Sequence, residues 1–160
     1  MTEQSFTTAI TVDNTPAEVF AAVLNARGWW SPGIRGGTAS IGDRFVFEVP
    51  GVHRSDIELA EVIPDRKVVW HIGETVMTFV QDAGEWTGTE IHFDITPVDD
   101  GTELRFTHVG LVPEFECYDA CSTAWAFYIT ESLRDLVATG VGQPSEFSGE
   151  VEARAEAARA

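Results

Sequence analysis

The chain predicts an α+β domain in which a curved antiparallel sheet wraps around a long C-terminal helix. Three observations predict it. A strand runs straight into a capped helix near the N-terminus. The hydrophobic period is two from Ile41 to Leu111, and it turns helical from Glu114 to Thr139. One sheet with one apolar face and one long helix with an apolar stripe must cover each other.

Phe6 to Val12 alternates as a strand, with Phe6, Ala9 or Thr8, Ile10 and Val12 competing for its inner face. Thr15, Pro16 and Glu18 then start a helix. Thr15 caps it, Pro16 fits the first helical position and Glu18 completes a capping box. Val19, Phe20, Val23 and Leu24 make its apolar face. Asn25 to Gly28 ends it, Trp29-Trp30-Ser31-Pro32 reads as a turn or short second helix, and Gly33 to Gly37 as a flexible rim loop.

In the strand region, Phe45, Phe47 and Val49 share a face until Pro50-Gly51 breaks the strand. Ile57 and Leu59 lead the next, and a change of parity near Glu61 marks a bulge or a strand end. Val68, Trp70 and Ile72 face one way, opposite Lys67, Val69 and His71. Met77, Phe79 and Gln81 read as a further short strand. Ile91, Phe93 and Ile95 precede a hairpin turn at Asp99-Asp100-Gly101, after which Leu104, Phe106 and His108 face inward. Strands joined by short turns imply an antiparallel meander with one buried face. Along the last helix, Tyr118, Cys121, Trp125, Tyr128, Ile129, Leu133 and Leu136 form one side, and Gly140, Gly142 and Pro144 stop it. The domain is expected over residues 1–144, with 145–160 a mobile polar tail.

Composition narrows the function. Five Trp and ten Phe need a sizeable interior, which a single domain of 160 residues supplies. A net charge of −16 repels phosphate backbones and anionic lipid heads, so nucleic acid and membrane surfaces are disfavoured as partners. The N-terminus reads as lacking a signal peptide, and no apolar run is long enough to insert in a membrane. Cys117 and Cys121, four apart on a helix, read as two reduced thiols of a cytoplasmic protein rather than a disulfide. With His108 they offer three zinc ligands, but no fourth is evident, so neither a metal nor another cofactor is expected. Nucleophile-elbow and phosphate-loop motifs are absent.

Four segments carry a resemblance. They are Ala9 to Phe20; Val62-Ile63-Pro64-Asp65-Arg66-Lys67-Val68-Val69-Trp70; Gly101 to Leu104 with His108-Val109-Gly110; and the helix Thr123 to Leu133 around Trp125. In this order they resemble the SRPBCC or START-like superfamily, and within it the branch named after activators of the heat-shock chaperone ATPase. That branch usually has Gly before the helix Trp, where this chain has Ala124. The resemblance implies a helix-grip fold like that of the birch pollen allergen, with a cavity between sheet and helix. Its members include lipid and hormone carriers, cyclases, dehydratases and chaperone regulators, so it does not fix a function.

The expected cavity lining is Trp29, Trp30, Phe45, Phe47, Trp70, Phe93, Phe106, His108, Cys121, Trp125 and Tyr128. Trp29 and Trp30 lie where the resemblance puts the cavity mouth. His108 is the polar residue whose parity turns it inward, either as a satisfied core imidazole or as a ligand anchor, with Tyr128 as a companion. Glu61 is a further inward candidate of unsettled parity. The leading expectation is a binding module for a small apolar or amphipathic molecule. The alternatives are a cyclase, dehydratase or hydrolase using His108, and a chaperone-regulator-like interaction module. A homodimer, and by family analogy alone a chaperone, are the protein partners considered.

Overall fold

A computed structural model of the chain describes residues 5–78, 80–81 and 83–144. The elements in order are β1 (Phe6–Val12), α1 (Pro16–Leu24), α2 (Ala26–Trp29), β2 (Arg35–Gly36), β3 (Arg44–Val49), β4 (His53–Ile63), β5 (Lys67–Met77), β6 (Glu90–Val98) and β7 (Gly101–Val109). The C-terminal helix follows as α3 (Tyr118–Phe127), a π-helical turn (Tyr128–Leu133) and α4 (Arg134–Thr139).

The seven strands form one antiparallel sheet in the order β1-β7-β6-β5-β4-β3-β2. Its register shifts twice along β4, between Ser55 and Ile57 and between Leu59 and Glu61. Each extra residue raises the local twist, which bends β4 and β5 around the helix. The second shift is the parity change expected near Glu61, and Glu61 itself stays half-buried.

Local chemistry sets the boundaries. The Thr15 hydroxyl accepts from Glu18 N at 3.2 Å and the Glu18 carboxylate from Thr15 N at 3.0 Å, closing the capping box. The β6–β7 hairpin turns at Asp100, which takes a left-handed φ of 66°. The C-terminal helix lays Cys121, Trp125, Tyr128, Ile129, Leu133 and Val137 into the core.

Three expectations are corrected. Residues 33–37 are not a free rim loop: Arg35–Gly36 pairs with Phe45–Val46 as strand β2. The Arg27 guanidinium donates to the carbonyls of Ile34 at 2.9 Å and Gly36 at 2.6 Å, holding it there. Gly36, at φ 115°, lies so near Arg44 that a Cβ would meet its carbonyl oxygen at 2.3 Å. Next, Met77 ends β5 rather than opening a further strand, and Gln81 lies outside any strand; Phe79 falls outside the described residues. Finally, the long helix starts at Tyr118, not Glu114, and a π-helical turn interrupts it. The Glu85 carboxylate accepts from the amides of Glu116 at 2.7 Å and Cys117 at 3.1 Å, so a loop supplies the cap. The tail expected from Ser145 onward lies outside the described residues.

Candidate functional site

All five tryptophans join one aromatic cluster between sheet and helix. Trp29 stacks on Trp70 at 6.1 Å and Trp70 on Trp30 at 5.6 Å. Trp30 meets Trp125 at 5.0 Å, and Trp125 stacks on Trp86 at 5.8 Å. Phe45, Phe93 and Phe106 pack edge-on or tilted against this chain of rings. One end of the cluster is solid and the other is hollow.

At the hollow end lies a cavity of about 180 Å³. Trp30, Phe47, Val49 and Val52 wall it from the sheet side with His53. Trp86 comes from the β5–β6 loop, and Ala120, Cys121, Ala124, Trp125 and Tyr128 from the helix. Ala120 and Ala124 are solvent-exposed and form the rim on the helix side. The α3 spacing explains this: positions 117, 121, 125 and 128 point inward, and 120 and 124 lie at the edge of that stripe.

Of the expected lining, Trp30, Phe47, Cys121, Trp125 and Tyr128 reach the cavity. Trp29, Phe45, Trp70, Phe93, Phe106 and His108 do not line it; they are buried in the solid part of the cluster. Trp30 and Trp125 stand between them and the hollow. Trp29 is instead pinned to the backbone, its indole N–H donating to Val23 O at 3.2 Å.

His108 is fully buried, and both of its nitrogens are used. Trp125 Nε1–H donates to Nδ1 at 3.2 Å. Indole can only donate, so Nδ1 is the acceptor and Nε2 carries the proton. Nε2 then donates to Thr89 Oγ1 at 2.9 Å, and Thr89 donates to Trp86 O at 2.6 Å. Burial, aided by nearby His53, pushes the imidazole pKa down to about 3. His108 is a neutral, satisfied core group that ties β7, the helix and the Trp86 loop together.

Besides Tyr128, a polar side chain that lines the cavity is His53, which the sequence reading missed. It could have been found by extending the inward parity of Leu59 and Ile57 two steps back, through Ser55 to His53. His53 Nε2 lies 2.8 Å from Ser55 Oγ, which lies 2.9 Å from Thr75 Oγ1. Burial lowers its pKa to about 4, so it is neutral at pH 7. Trp86 was missed as well, because it sits in a loop without periodicity. Its ring stands edge-to-face on His53 at 4.6 Å and on His108 at 4.8 Å, and its buried indole N–H faces the Cys121 thiol.

Cys117 and Cys121 are free and buried. The Cys121 thiol is held well above the usual range, first by its hydrogen bond with Cys117 and then by burial. It is an unreactive wall group. Among the described residues no cluster of three or more His, Cys, Asp or Glu side chains could hold a metal, and no helix is long and apolar enough to cross a membrane. A wider groove of about 500 Å³ crosses the outward side chains of β2 to β5. There Arg35, Arg44 and Arg54 stand among Asp56, Glu58 and Glu74, so the charges balance.

Comparison with known proteins agrees with this architecture. The solution structure of the Aha1 dimer from Colwellia psychrerythraea is similar at 26% identity and a TM-score of 0.70, over 86% of this chain and 98% of that one. CalU16 from Micromonospora echinospora superposes with a TM-score of 0.61 at 16% identity, over 96% and 82% of the two chains. DynU16, from the dynemicin biosynthetic locus, gives 0.64 at 13% identity over 88% of this chain; the match spans 49% of DynU16. At those identities the last two show the fold alone. No curated protein matches in sequence. The family model for activator of Hsp90 ATPase homolog 1-like proteins matches residues 13–138, and the chain belongs to that family.

Proposed function

We propose that this protein binds a small apolar or amphipathic molecule in the cavity between the β3–β4 hairpin and α3. The observation that carries the reading is the hollow itself. About 180 Å³ of space, open at the Ala120–Ala124 rim, reaches in between sheet and helix. The wall is mostly apolar with a few polar groups, His53, the Tyr128 hydroxyl, the Cys121 thiol and the indoles, the composition expected of a ligand pocket. Among the described residues that line the cavity no carboxylate or cationic side chain joins the neutral His53, an arrangement suited to holding a molecule. Two buried free thiols suit a reducing, cytoplasmic setting.

A thermal-shift panel of single-ring and short-chain compounds tests this. A ligand at a hundred times its Kd should add about 2.7 kcal/mol to stability, enough to raise Tm by several degrees. A panel in which no compound moves Tm would argue against the reading. Native mass spectrometry of protein purified from its own host would then identify the natural occupant.

A second reading rests on the family match: docking on a chaperone, with the exposed ring of Phe127 on the outer helix face as a contact. The Colwellia relative is a dimer, and a homodimer is the assembly proposed for this chain as well. Sedimentation of the purified protein decides the latter, and pull-down by a chaperone the former.

A further inference from the structure

The hydrogen-bond chain behind His53 has a direction, and it specifies what the cavity takes. Ser55 is fully buried and Thr75 nearly so. Among the described residues each hydroxyl has only the partners already named as an acceptor for its hydrogen: Ser55 can give to His53 or Thr75, and Thr75 only to Ser55. If His53 Nε2–H gave to Ser55, then Ser55 would give to Thr75, and the Thr75 hydrogen would be buried with no acceptor. An orphaned buried donor costs about 1–3 kcal/mol. The opposite direction satisfies both hydroxyls: Thr75 gives to Ser55 and Ser55 gives to Nε2. The ring proton then sits on Nδ1, which has no partner among the described residues.

His53 therefore brings to a mostly apolar wall an imidazole N–H with no partner among the described residues, beside the Cys121 thiol, the Tyr128 hydroxyl and the indoles. The other buried donor of that wall, Trp86 Nε1–H, faces the Cys121 thiol and is not left for a ligand. A donor without an acceptor calls for a ligand that accepts. A charged ligand is disfavoured, since the wall holds no counter-ion and burying a lone charge is costly. Size follows from volume: an apolar cavity of about 150 Å³ takes benzene, and this one is about 180 Å³.

Resting on the ligand-cavity reading above, we propose that the occupant is a compact neutral molecule, about one substituted six-membered ring in size, whose acceptor takes the hydrogen bond offered by His53 Nδ1. An aryl ketone or ester fits this description; a carboxylate, an amine or a long acyl chain does not. Ser55 and Thr75 act as positioning residues, because they hold the tautomer that makes Nδ1 a donor.

Acetophenone and α-methylstyrene test it, since they share a shape and differ in one carbonyl. Both are titrated by calorimetry into the full chain, wild type and His53→Leu. The affinity ratio of ketone to hydrocarbon should fall by roughly tenfold in the variant, the size of one hydrogen bond, while α-methylstyrene binding stays within about threefold. An unchanged ratio overturns the proposal and leaves the cavity reading standing. No binding of either compound to the wild type overturns both. Should His53→Leu not fold, ¹⁵N spectra of the wild-type histidines give the answer directly. His53 should carry its proton on Nδ1, and that resonance should move with acetophenone and not with α-methylstyrene; a proton on Nε2 overturns the proposal.

Discussion

The indole N–H of Trp125 donates to Nδ1 of His108 across 3.2 Å, and through that bond the helix fixes the tautomer of a strand residue seventeen positions earlier. The bond explains why an inward, buried histidine is not a ligand anchor here. Its acceptor is taken by Trp125, its donor by Thr89, and the Thr89 hydroxyl closes the chain on the Trp86 carbonyl. The same residues that seal the solid half of the interior position Trp86 and Trp125 as walls of the hollow half.

Trp125→Ala should cost roughly 3–5 kcal/mol. The ring is in contact with Trp30, Trp86, Phe106 and His108, and its loss also strips His108 of its hydrogen-bond donor. Denaturant melts of the two proteins measure it. A loss below about 1 kcal/mol would mean that the cluster can collapse around the gap, against the packing described.

Ser132→Ala should cost about 1–3 kcal/mol although it removes a single oxygen. Ser132 is fully buried; its hydroxyl donates to Trp29 O at 2.7 Å and accepts from Gln143 N at 2.7 Å. It pins α2 and the segment after α4 to the π-helical turn. Among the described residues neither backbone group has another partner. The same melts check it, and a neutral result would mean that water replaces the hydroxyl.

Stability should fall as pH drops below the ordinary histidine range. His53 and His108 have folded pKa values of about 4 and about 3, against 6.5 when free. Between pH 6.5 and 4 the unfolded chain takes up two protons that the folded one refuses. Unfolding then becomes easier by roughly 2.7 kcal/mol per pH unit from this pair. Above pH 6.5 both states hold neutral rings and the contribution is flat. His53→Gln should halve that slope. Melts from pH 7.5 to 4.5 test it, and an identical slope in both proteins would contradict the burial of His53.

Much of this was legible in the sequence because the signals are local. Thr15-Pro16-Glu18 writes its own capping box, and the alternation through Leu104, Phe106 and His108 turns His108 inward as read. The apolar stripe on the last helix named Cys121, Trp125 and Tyr128, which do reach the cavity. Periodicity tells which face is buried, however, not which part of that face is hollow. That depends on rings meeting across the core, as when Trp30 stacks on Phe47 at 4.1 Å and Trp125 screens Phe106. Trp86 escaped notice for a related reason: its place is set by Glu85 capping a helix more than thirty residues away, a contact with no periodic trace. The π-helical turn likewise has no residue that announces it in the sequence; its Ser132 hydroxyl bonds to the distant Trp29 carbonyl.

Ligand binding at this cavity is tested most directly by titrating α-methylstyrene into wild type and Ala124→Trp while following tryptophan fluorescence, since Trp30, Trp86 and Trp125 all line the site. Ala124 is exposed at the rim, so a larger side chain can block the cavity without entering the core. The predicted result is saturable one-to-one binding to the wild type and at least tenfold weaker binding to the variant, with Tm unchanged in the absence of ligand. No saturable change in the wild type, or equal binding by both proteins, would contradict the account.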